Sequence, residues 1–179
     1  MNDERAIEEP PIRHFFGLGD LSQAGSEVRV SASGDELVRL AHWAGVDAVI
    51  AFAGVVELRR LSRTQFAFDA ALDADIVQPC VVTLEPVTTH IARRFSRELH
   101  YVPRLQASGG VLTLAAGDED VPEEIDNLEY DLAVPLLEEF LLAIDPYPRK
   151  EGVAYEPPKE APEPPESPFA VLKNIKERG

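Results

Sequence analysis

This chain of 179 residues contains one cysteine, one tryptophan and one methionine. With Cys80 alone, neither an internal disulfide nor an all-cysteine metal site can form within one chain. The four histidines, His14, His42, His90 and His100, never form a close pair on one helical face, so they offer no zinc signature. Gly17-Leu18-Gly19 lacks the third glycine and the following helix of a dinucleotide loop. No apolar stretch approaches the ~20 residues of a membrane-spanning helix. Met-Asn-Asp-Glu-Arg at the start has neither the basic region nor the apolar core of a secretory signal. These absences predict a cytoplasmic protein that works without metal, cofactor, membrane or small-molecule substrate.

The most informative absence is of positive charge. Between Arg104 and Arg149 there is no lysine or arginine, yet the interval holds eleven of the carboxylates that give the chain its net charge of -15. It begins as an acidic, solvated loop and ends as the apolar run Pro135–Ile144. Such a segment anchors one end in a core and displays charge at the other. Broad contact with a phosphate backbone is disfavoured, because that affinity comes from Lys and Arg displacing counterions. A basic partner suits the field better. The candidate partner-binding carboxylates are Asp118, Glu119, Asp120, Glu123, Glu124, Asp126, Glu129 and Asp131. Asp126 and Asp131 have a second possible use, since either could cap the helix that follows. A local basic patch offers the alternative of RNA contact through Arg93, Arg94, Arg97 and Arg104, with His90 and His100 nearby.

Periodicity predicts an α+β fold dominated by long antiparallel strands, forming a twisted sheet or partial barrel with two main helices. Ile12–Phe16 and Val28–Val30 read as short strands. Ser33–Gly45 reads as a helix over residues 35–44, with a Ser or Asp cap, apolar Leu37, Leu40, Ala41 and Ala44, and Gly45 closing it. From Val46 to Leu58 both faces are apolar, which predicts a strand covered on both sides. After a turn at Leu61–Thr64, Phe66 to Ile76 alternates with Asp69, Asp73 and Asp75, so the second strand of this hairpin has one wet face. Val87–Val102 carries both helical and extended signals and is read as strand. Val111–Leu114 reads as a short strand and residues 134–144 as a helix with Pro135 in its first turn. Trp43 is expected to anchor the core.

Domain organisation follows from composition: a flexible N-terminus over residues 1–10, one domain over 11–152, and a disordered Pro/Glu-rich tether over 153–168. Last comes a short amphipathic docking motif over 169–179, with Phe169 and Leu172 as its binding residues. Catalytic signals are weak. Cys80 sits between Pro79 and Val81-Val82, a setting that usually holds an inert thiol, and no base or phosphate cradle accompanies it, so no catalytic residue is assigned.

Three segments carry a family resemblance: Gln78-Pro79-Cys80-Val81-Val82-Thr83-Leu84-Glu85-Pro86, then Glu124-Ile125-Asp126-Asn127-Leu128-Glu129-Tyr130-Asp131-Leu132 leading into Leu136–Pro148, and Pro168-Phe169-Ala170-Val171-Leu172. In order and spacing they resemble the YceD family of large ribosomal RNA subunit accumulation proteins, particularly its alphaproteobacterial branch. The resemblance implies a non-enzymatic bacterial ribosome biogenesis factor supporting 23S rRNA accumulation. Its implied partners are a large-subunit ribosomal protein or a pre-50S particle, with direct 23S rRNA contact as the alternative. Many members carry Cys-x-x-Cys-Leu where this chain has Cys80 and Thr83, which implies that here the segment serves for its bend and packing.

Overall fold

Alternating apolar and acidic residues between Phe66 and Ile76 bury one face of a strand and wet the other, and that strand is the middle one of the main sheet. The computed structural model describes residues 9–103 and 122–153. In chain order the elements are β1 (Phe15–Gly17), a 3-10 turn at Leu18–Asp20, β2 (Ser26–Ser31), α1 (Asp35–Ala44), β3 (Ala48–Arg60), β4 (Gln65–Pro79) and β5 (Pro86–Tyr101). After them come β6 (Glu123–Ile125), β7 (Glu129–Asp131) and α2 (Ala133–Ala143). Strands β2-β3-β4-β5-β6 form a five-stranded sheet in that order, and β1 pairs with β7 separately. All pairings are antiparallel except β5 with β6. The expected α+β architecture is present, and residues 87–101 are strand.

One face of the sheet carries the core. Val49, Phe52, Val56 and Leu58 of β3 join Phe66, Phe68, Leu72, Ala74 and Ile76 of β4 and Ile91 and Leu99 of β5; α1 adds Leu40 and Ala41, and α2 adds Leu136, Leu137 and Phe140. Phe140 meets Phe52 edge-on, with ring centroids 5.4 Å apart and planes at 88°. Burial of a side chain of this size contributes roughly 2–3 kcal/mol, and truncating it to alanine costs about 3–5 kcal/mol. Gly54 lets α2 approach β3: a Cβ there would lie 2.6 Å from Leu136 Cδ1.

Two local expectations are corrected. The second face of β3 is not covered: Ile50 is 55% exposed and Ala53 is exposed. A register shift between Val49 and Ala51 turns Val49 and Phe52 to the same side and leaves Ile50 outside. Alanines then supply apolar character on the open face without requiring a lid. At α1 no side chain caps the start; Gly34 stands at the N-cap with φ 51°. Glu36 still accepts the Ser33 N–H at 3.1 Å, the return half of a capping box. Gly45 closes the helix at φ 69°, and Trp43 is half-buried against the core. The strand expected at Val111–Leu114 lies outside the described residues. Among those described, no helix is long and apolar enough to cross a membrane.

Candidate partner-binding site

Asp118, Glu119, Asp120, Arg104, Phe169 and Leu172 lie outside the described residues. The remaining carboxylates of the acidic segment are not a plain loop. Glu123 and Glu124 belong to β6, paired alongside Leu99–Tyr101, while Glu129 and Asp131 belong to β7, paired with β1. Backbone pairing therefore fixes where each carboxylate points.

Glu123 and Asp131 are used inside the fold. Tyr130 donates its hydroxyl to Glu123 Oε1 at 3.0 Å, and burial, reinforced by the Glu123 charge, pushes that phenol well above its ordinary range. Arg97 Nη1 lies 3.4 Å from Glu123 and 2.7 Å from Glu138, and its Nη2 is 3.6 Å from Glu139. Asp131 Oδ1 accepts the His14 N–H at 2.8 Å and the Ala133 N–H at 3.1 Å. It thus ties the residue before β1 to the first N–H of α2 from one position ahead of the N-cap, which is Leu132 and makes no side-chain cap bond. Glu124 and Glu129 are exposed, make no ion pair with a described residue, and stand with exposed Asp126 around the short β6–β7 connection.

The basic candidates do not form one patch. Arg93 pairs across from Leu72 and Arg97 across from Phe68, both core-facing, whereas Arg94 pairs across from Ala71 on the open face. Adjacent strand residues point to opposite sides, so Arg93 and Arg94 diverge, and Arg97 is already surrounded by carboxylates. His90 also faces the open side, with Nδ1 2.9 Å from Asp75 and Nε2 3.5 Å from Asp73. The Asp75 hydrogen bond, followed by the Asp73 charge, raises its pKa above the ordinary value. Nearby, Asp69 accepts from Arg59 at 2.8 Å and Ser96 at 2.7 Å, and those bonds lower its pKa.

Sequence reasoning missed the setting of Cys80. The residue is fully buried where β4 turns into β5, and its sulfur accepts the Lys150 N–H at 3.4 Å. The Thr83 hydroxyl, then the N–H groups of Lys150, Thr83 and Val82, lower the thiol to about 6. Local apolar sequence suggested an inert thiol; the donors come from a turn and from a residue seventy positions away. Among the described residues no group of three His, Cys, Asp or Glu side chains could hold a metal ion.

The model of the family described as large ribosomal RNA subunit accumulation protein YceD matches residues 68–176, from β4 through α2 and on into the C-terminal segment. No curated protein and no solved structure matches the chain.

Proposed function

Because the chain belongs to the YceD family of large ribosomal RNA subunit accumulation proteins, we propose that it supports that accumulation as a binding protein, by holding a basic large-subunit ribosomal protein or an rRNA–protein intermediate. The family description names the accumulation of an RNA and no reaction. The supporting observation is the division of labour among carboxylates. Glu123 and Asp131 are engaged within the fold, while Glu124 and Glu129 are left exposed without a described ion-pair partner. Asp126 stands between them, and Asp118, Glu119 and Asp120 precede them in sequence. A cationic partner approaching this edge is steered by the summed field, with an association rate that falls as salt screens it. Phe169 and Leu172 supply apolar anchors at the end of the Pro/Glu-rich segment.

Association of the purified protein with large-subunit ribosomal proteins, measured at low and high salt, tests this reading. Expected is salt-sensitive binding that weakens at least tenfold when Glu124 and Glu129 are both replaced by Lys. Salt-insensitive binding, or none to any ribosomal protein or precursor particle, would overturn it.

A second reading is favoured by Arg93 and Arg94, which are exposed and make no ion pair with a described residue. Because the two diverge across the sheet and Arg97 is held by Glu123, Glu138 and Glu139, one of them, with Arg104, would then touch 23S rRNA directly. In-cell RNA crosslinking of an Arg93→Glu/Arg94→Glu variant decides it: lost crosslinks support contact through these residues, and unchanged crosslinks exclude it.

A further inference from the structure

The described chain exposes nine large hydrophobic side chains, and five of them, Val81, Leu84, Leu141, Leu142 and Tyr147, belong to the β4–β5 turn and the end of α2 with the segment after it. The others, Phe15, Val38, Ile50 and Leu61, are scattered over β1, α1, β3 and the β3–β4 turn. The two parts of the cluster are stitched together. Gln78 donates its side-chain amide to the Asp145 carbonyl at 3.1 Å, and the Val81 N–H donates to the Pro148 carbonyl at 2.9 Å. Lys150 gives its N–H to Cys80 and its ammonium to Glu85, the latter at 2.8 Å. This end of the molecule is a built platform that displays apolar groups.

Leu84 is its sharpest feature. The residue adopts φ 60°, among the described residues the one non-glycine with positive φ, and its side chain is 78% exposed. A leucine in the left-handed region is uncommon, and conformations of this kind cluster where a segment makes contacts. Its N–H is held by the Cys80 carbonyl at 2.9 Å, so the turn presents Leu84 outward as a fixed arrangement. Apolar groups gathered at one end of a chain this charged call for a cover.

The chain itself carries a matching cover. From Lys150, bonded into the platform, three residues reach Val153, and residues 154–168 then lead to Phe169-Ala170-Val171-Leu172-Lys173-Asn174-Ile175. Phe169, Leu172 and Ile175 recur at threes in the sequence, a spacing that a helical turn would gather on one face. The intervening fifteen residues include six prolines and span up to roughly 45 Å when extended, enough to return to the platform from its own edge. Tethering sets the effective concentration in the millimolar range, so a small apolar contact suffices for occupancy. The family match, over residues 68–176, takes in both the platform and this terminal motif.

We propose that Phe169, Leu172 and Ile175 dock in cis on the apolar platform formed by Val81, Leu84, Leu142 and Tyr147. The motif then has a resting site on its own domain, and a partner that takes Phe169 and Leu172 must displace it. The contact stands whether or not the acidic edge binds a ribosomal protein.

The test uses the full chain with a nitroxide on Ala170→Cys in a Cys80→Ser background. Expected is strong broadening of the amides of Val81–Glu85 and Tyr147, with Arg13 and Leu61 spared, and loss of that pattern on adding Leu172→Asp. Broadening seen only between isotope-labelled and spin-labelled copies in a mixed sample would assign the platform to a second copy and overturn the cis contact. Uniform weak broadening would overturn docking altogether. Hydrogen exchange with Cys80 retained gives an independent reading: Leu172→Asp should speed exchange at Val81 at least tenfold, and an unchanged rate counts against the proposal.

Discussion

Arg97 Nη1 and Glu138 Oε2 stand 2.7 Å apart, joining β5 to α2. The same guanidinium reaches Glu123 and Glu139 and lies 5.6 Å from the Phe95 ring centroid. Only 24% of its side chain is exposed, so this cation holds a helix to a sheet edge. Arg97→Gln is expected to lower unfolding free energy by about 1–3 kcal/mol, between the worth of a surface pair and that of a broken buried one. Arg94→Gln, on the open face, should stay within ~0.5 kcal/mol. Urea midpoints of the two variants check the contrast, and equal losses would remove the structural role given to Arg97.

His90 lies between Asp75 and Asp73, and its pKa is raised by the hydrogen bond to Asp75 and then by the Asp73 charge. A raised folded value means that the folded protein binds the proton more tightly than the unfolded chain does. The pair therefore contributes its full stability below the ordinary histidine value of about 6.5, and that contribution is lost as pH rises through the folded value. Imidazole NMR titration should place His90 above the ordinary histidine value, and Asp75→Asn should bring it down. No change in that variant would show that the Asp75 contact is not formed in solution.

Gly54 offers a test of packing without a change of charge. A methyl group there would sit 2.6 Å from Leu136 Cδ1 and 2.8 Å from Cδ2, and Leu136 is fully buried, leaving it no room to swing away. Gly54→Ala should cost about 1–3 kcal/mol by overpacking. Gly54→Ala combined with Leu136→Ala should cost less than the sum of the two single changes, because the cavity of one receives the methyl of the other. Additive losses in denaturant unfolding would place the helix farther from β3.

The hairpin of β3 and β4, both helices and the extended state of β5 were legible because their signals are local: alternation, Pro135 early in α2, Gly45 after α1. Long-range pairing was not. Nothing in the run Val46–Leu58 reveals that its register slips at Ile50, since Ala51, Ala53 and Val55 are apolar whichever way they face. Glu123 read as one more acid in a solvated stretch, because the parallel pairing with β5 that brings it to Arg97 and Tyr130 depends on residues over twenty positions away. The basic cluster looked continuous in sequence for the opposite reason: adjacency along a strand separates Arg93 from Arg94 across the sheet. Asp131 was legible as a carboxylate at the start of α2, but its bond to His14 and the N-cap position of Leu132 were not.

Cys80 gives the last prediction, and its chemistry is set by the turn that buries it. The Thr83 hydroxyl and the N–H groups of Lys150, Thr83 and Val82 converge on its sulfur and hold the thiol at about 6, against an ordinary value near ~8.5. A depressed folded value means that the thiolate favours the folded state. Its contribution is therefore present above the ordinary value and is lost as pH falls through about 6. Thiolate absorbance of the native protein should develop around that pH, and Thr83→Val should move the midpoint upward by removing the leading donor. The stability advantage of the natural chain over Cys80→Ala should grow steadily from mildly acidic to alkaline conditions. Bulky thiol reagents should still react slowly with the native protein despite the ionised sulfur, because attack requires the turn to open. A native thiol that titrates at the ordinary value, with Thr83→Val leaving it unmoved, would mean that these donors do not reach the sulfur in solution.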